Sequence, residues 1–124
     1  MNEENRAQGR VSFSIREHDD GGRVELHVMP LDERQSVVVA LAGRDGATEP
    51  ERVRLQGPFP GRDSALGVCN GVITALEQRG YRPGEHFSRW QMVAWRERRR
   101  LLDERAGNRP DTRFHPDDVL FWPR

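Results

Sequence analysis

The chain has 124 residues, with 20 basic and 20 acidic side chains, four histidines and one cysteine. That length fits a single domain, and a lone thiol, Cys69, excludes an intrachain disulfide. A formal net charge of zero argues against a general nucleic-acid binder, and no run reaches the roughly 18 apolar residues of a membrane span.

The opening segment MNEENRAQGR lacks the apolar core of a signal peptide. A soluble protein of a reducing, bacterial-type cytoplasm is therefore the expectation, with no membrane partner. Every basic residue is an arginine. This fits a GC-rich coding bias, and it also fits a demand for guanidinium forks that grip carboxylates or phosphates.

Residues 1–10 are polar and read as a disordered N-terminal segment. Val11, Phe13 and Ile15 then alternate with Ser12, Ser14 and Arg16, the period of a half-buried strand. His18 to Gly22 supplies a turn. Val24, Leu26 and Val28 alternate with Arg23, Glu25 and His27, which places those three polar residues on the outward face. The β-branched run from Ser36 to Gly43 reads as a central strand buried on both faces. Val53 and Leu55 point inward in a fourth strand, with Arg52 and Arg54 outward. Gly57-Pro58-Phe59-Pro60-Gly61 reads as a rigid crossover loop with Phe59 tucked into the core.

A helix follows, capped by Asp63 or Ser64. Ala65, Leu66, Cys69, Val72, Ile73 and Leu76 share one apolar face. Gly80 is placed for a left-handed residue after the helix, and Pro83 forbids continuation. Ser88 and Gln91 form a capping box for a second helix, flanked by Phe87 and Met92 at the staple positions. Trp90, Val93, Ala94 and Leu101 line its apolar side.

This order predicts an α+β fold. The strands fall at about 11–17, 23–29, 36–43 and 51–56, and the helices at about 64–79 and 89–106. They form one domain over residues 11–124: a four-stranded antiparallel meander covered on one face by two helices, ββββαα. A C-terminal tail holding Val119-Leu120-Phe121-Trp122 is expected to dock back on it.

No catalytic, cofactor or metal motif stands out. Cys69 points into the apolar face of the first helix, where a thiol is inert. The histidines, His18, His27, His86 and His115, show no metal-ligand spacing, and only a folded-over tail would bring His86, His115 and Asp117 together. The carboxylate pairs Asp19-Asp20, Asp32-Glu33, Asp103-Glu104 and Asp117-Asp118 read as solvated turns and helix ends.

The strongest charged stretch runs from Arg89 to Arg100, five arginines against Glu97 alone. Trp95, Arg96, Arg99, Arg100 and Trp122 form a possible binding surface. Gly67, Gly71 and Ala75 form a small-residue ridge on the first helix, open to the second helix or to another copy of the chain. The expected function is a non-catalytic binding module engaged in protein–protein interaction or homo-oligomerisation. One alternative is a nucleic-acid-binding accessory protein using the Arg89–Arg100 helix. Another is a small enzyme with its site between the 57–61 loop and the tail.

Overall fold

The computed structural model describes residues 12–84 and 87–107. Strands β1 (Ser12–Glu17), β2 (Gly22–Pro30), β3 (Gln35–Arg44) and β4 (Arg52–Pro60) form the antiparallel meander that the alternation predicts. A two-residue strand, β5 (Arg82–Pro83), joins the outer edge of β1, giving the order β4-β3-β2-β1-β5. Helix α1 spans Arg62–Gln78 between β4 and β5, and helix α2 spans Gln91–Gly107 after β5.

The class is α+β, but the two helices do not share a face. Residues directly opposite in an antiparallel ladder project to the same side. Val24, Leu26 and Val28 of β2 and Val38 and Ala40 of β3 pack with Ala65, Cys69, Val72 and Leu76 of α1. Met29, Val37, Val39 and Leu41, one residue out of phase, pack with Val93, Ala94 and Leu101 of α2 and with Trp90. The sheet is thus a middle layer with one helix on either side.

The register shows why. Phe13 of β1 lies opposite His27, and Leu55 of β4 lies opposite Val39, which in turn faces His27. The apolar sides of β1 and β4 therefore face α2, while the apolar side of β2 faces α1. A sheet with apolar groups on both sides needs two covers.

Both helix ends differ from expectation at their starts. The N-cap of α1 is Gly61 with no side-chain cap, because the helix begins one residue before Asp63. The residues expected as a crossover loop continue β4 to Pro60, past a bulge opposite Ser36 and Val38, and Phe59 is buried against α1 as expected. At the other end of α1 the prediction holds. Gly80 takes φ +97°, the amide of Tyr81 bonds the carbonyl of Leu76 and the amide of Gly80 bonds that of Glu77, a Schellman stop.

Helix α2 starts at Gln91, so Trp90 caps it through its carbonyl and Ser88 does not. Phe87 and Met92 form no staple, since both are exposed. Gly67 and Gly71 lie on the exposed side of α1, and a Cβ on either would meet nothing within 4 Å. With α2 across the sheet, the small-residue ridge has no partner helix in its own chain among the described residues. The C-terminal tail, with Trp122, lies outside the described residues.

Candidate binding surface on the second helix

The sheet face under α2 carries a charged cluster that the alternation assigned to solvent. Arg23, Glu25 and His27 stand at i, i+2 and i+4 on β2, and each is fully buried. Glu25 Oε2 accepts from Arg23 Nε at 3.0 Å, from Arg23 Nη2 at 2.9 Å and from the Arg89 amide at 2.9 Å. Its Oε1 accepts from His27 Nε2 at 2.9 Å and from Ser88 Oγ at 2.5 Å. Burial pushes the Glu25 carboxyl up, but the bonds from His27, Ser88, the Arg89 amide and Arg23 outweigh it and hold it at about 2.

Arg23 is shared as widely. Its Nη1 reaches Glu17 at 3.0 Å and Asp45 at 3.3 Å, its Nη2 reaches the Phe87 carbonyl at 3.4 Å, and its guanidinium sits 5.6 Å from the Trp90 ring centroid. Gly43, opposite Arg23 on β3, makes room for this stack. A Cβ there would stand 2.9 Å from the Glu51 amide nitrogen and 3.4 Å from Trp90.

Serine, histidine and glutamate side by side invite a nucleophile reading, and the proton positions argue against it. An ionised carboxylate has no proton to give, so His27 Nε2 carries the hydrogen of its bond to Glu25. Ser88 also turns its proton to Glu25. The 3.4 Å approach of Ser88 Oγ to the same Nε2 therefore meets an N–H and no lone pair, whereas a general base must offer one. His27 Nδ1 is buried with no hydrogen-bond partner among the described residues. What the cluster does is mechanical: it fastens Phe87, Ser88 and Arg89, the segment that launches α2, onto β2.

The surface so positioned is the outer side of α2. Phe87 is 61% exposed, Met92 75% and Trp95 38%. Met92, Trp95, Arg96, Arg98, Arg99 and Leu102 line a groove of about 480 Å³. Arg98 lies 5.6 Å from the Trp95 ring centroid and its Nε donates to the Pro30 carbonyl at 2.6 Å, so the indole rests on an anchored cation. Among the described residues Arg96 reaches only Glu49, at 4.0 Å, and Arg100 pairs with Glu97 at 2.5 Å, one turn back.

The family comparison covers this surface and the cluster beneath it. The model for the PA4575-like protein family matches residues 6–118. The chain belongs to that family. The PA4575-like match spans both the strand that carries Arg23, Glu25 and His27 and the whole of α2. No curated protein and no solved structure matches the chain.

Other residues singled out in the sequence are held locally. Cys69 is buried, and burial pushes its thiol up to about 12. His18 accepts the Asp20 amide at Nδ1 and bonds the Arg79 carbonyl through Nε2. Asp19 pairs with Arg82, and Asp20 receives the Gly22 amide. Among the described residues no three His, Cys, Asp or Glu side chains come together to hold a metal ion. His86, His115, Asp117 and Asp118 lie outside them. No described helix is long and apolar enough to cross a membrane. Of the enzyme site expected between residues 57–61 and the tail, the first part is strand with Phe59 in the core. The tail lies outside the described residues.

Proposed function

We propose that the protein is a non-catalytic docking module whose α2 groove takes an acidic, apolar-bearing segment of another protein. The observation that carries this reading is Met92 and Trp95 exposed beside Arg96 and Arg99 along one groove. Trp, Met and Arg are the residues enriched where proteins meet. Charge complementarity selects the occupant. Arg96 has only a distant, solvated Glu49, and Arg99 has no ion pair among the described residues. Such exposed cations contribute little until a partner carboxylate desolvates them. An exposed methionine gives nothing to a phosphate backbone, and Glu97 and Asp103 interrupt the cationic stripe, so protein is favoured over nucleic acid.

The test is titration of the protein with a peptide alternating Asp or Glu with Leu and Phe, read by Trp emission and salt dependence. Binding should weaken about tenfold in Trp95→Ala and further in the Arg96→Glu, Arg99→Glu double variant. A peptide with Lys in place of its acids should not bind. Equal binding of both peptides, or indifference to Trp95→Ala, overturns the reading. So does a dimer, or a salt-sensitive shift of duplex DNA, that the same substitutions abolish.

A further inference from the structure

A cavity of about 900 Å³ opens at the far end of the sheet from the Arg23 cluster, between the β2–β3 turn, the start of α1 and Arg98 of α2. Pro30, Leu31, Arg34, Gly61, Arg62 and Arg98 are among the residues that line it. The volume falls in the range of small-molecule sites.

The turn that forms one wall is fixed. The Leu31 amide bonds the Gln35 carbonyl at 2.8 Å. Asp32 accepts the amides of Arg34 at 2.7 Å and Gln35 at 2.8 Å and lies 3.9 Å from Arg105. Those amide bonds, Arg34's first, hold the Asp32 carboxyl below its ordinary value. Asp32, although it borders the cavity, spends its charge on the amides of the turn and on Arg105 and, more weakly, Arg34.

The cations are left differently. Arg98 uses Nε on the Pro30 carbonyl, which anchors its guanidinium at the rim. Neither Arg98 nor Arg34 forms an ion pair with a carboxylate among the described residues, although the Arg34 charge, like that of Arg105, acts on Asp32 from a distance. Elsewhere in the described chain Arg16, Arg23, Arg82, Arg89, Arg96, Arg100 and Arg105 each have such a pair, while Arg44, Arg79 and Arg99 resemble Arg34 and Arg98 in having none but do not line this cavity. Arg62 borders the same space and is steadied by Ser12 Oγ. Two arginines outside any ion pair and a third beside them thus border a volume whose wall includes Pro30 and Leu31, with Asp32 and Glu33 on the same turn.

We propose that this cavity binds a small organic anion, its phosphate or carboxylate head between Arg34 and Arg98 and its compact apolar body against Pro30 and Leu31. Guanidinium groups suit both head groups because their paired N–H donors match two oxygens of either. The proposal does not rest on the α2 groove, although Arg98 borders both, and Arg34, which lines this cavity alone of the two, tells them apart.

The experiment is a calorimetric and NMR titration of the full chain with phenyl phosphate, benzoate and, as the uncharged control, benzyl alcohol. Phenyl phosphate or benzoate should bind with a salt-sensitive affinity and move the amide signals of Gln35, Ser36 and Gly61. Benzyl alcohol should not bind. Arg98→Gln and Arg34→Gln should each weaken binding about tenfold, the loss of one charge-assisted contact. Arg34 sits on an exposed turn, so its variant keeps the test valid if Arg98→Gln disturbs α2. Absence of binding by both anions, signal changes confined to other regions, or unchanged affinity in Arg34→Gln overturns the proposal.

Discussion

Glu25 is the side chain on which the α2 face depends. Five hydrogen bonds converge on a fully buried carboxylate, and three of its four partner residues are charged or bear a ring N–H. A buried pair of this kind contributes little compared with an apolar substitute, but removing one partner strands the other. Glu25→Gln keeps the shape and leaves Arg23 to Glu17 and Asp45, which are partly solvated. Urea unfolding at pH 7 should show a loss of about 3 kcal/mol, and equal stability of the two proteins would refute this account. The sign of the pH dependence follows from the direction of the shift. The folded carboxyl titrates at about 2 and the unfolded one near 4.5. The unfolded state therefore takes up its proton first. The stabilisation, about 3 kcal/mol for a shift of this size, is complete above pH 4.5 and drains away as pH falls towards 2. Glu25→Gln should lack that part of the acid dependence.

At the scale of elements, α1 carries two glycines where nothing demands them within its own chain. Gly67 and Gly71 are exposed in mid-helix, neither has positive φ, and an added Cβ meets open space. Each costs about 1 kcal/mol relative to alanine. Gly67→Ala and Gly71→Ala should therefore each raise the urea midpoint, together adding about 1–2 kcal/mol. A lowered midpoint that depends on protein concentration would instead place another copy of the chain on that ridge. The same elements show what the sequence disclosed. Strand and helix identities were legible because alternation and the Gly80 stop are local signals. The placement of α2 was not, because register is not local. One clue stood in β3, whose apolar run Val37 to Leu41 needs cover on both faces and is incompatible with two helices on one side. A second stood in β2. Arg23 and Glu25 share a strand face at i and i+2, a spacing at which opposite charges can satisfy each other out of water. Read as outward, they hid the cluster that mounts the candidate surface. The exposed arginines and Trp95 of α2 were legible because a helix wheel needs only spacing.

For the whole molecule, the sheet is a shared wall. Val24, Leu26, Val28, Val38 and Ala40 support α1 through one side of β2 and β3, and Met29, Val37, Val39 and Leu41 support α2 through the other. Neither core survives without the two central strands, so the two sides should unfold together, although no side chain of α1 belongs to the α2 core. Each side holds a natural reporter. Cys69 lies buried on the α1 side, its thiol raised to about 12 so that almost no thiolate forms at neutral pH. Trp90 lies buried on the α2 side with its indole N–H on the Ala47 carbonyl at 2.9 Å. In a Trp95→Phe, Trp122→Phe variant, which keeps Trp90 as the sole indole, the urea midpoint from Trp emission should coincide with that from Cys69 alkylation, the mark of a two-state domain. The alternative is separable layers. If the Arg23–Glu25 cluster were the only fastening of α2, Trp90 would report a transition at lower urea while Cys69 stayed protected. The burial of Val93, Ala94 and Leu101 against β3 argues that it is not. Each such side chain loses about 1.5–3 kcal/mol for a residue of valine or leucine size when it leaves the sheet, which ties α2 to the strands as firmly as the charges do.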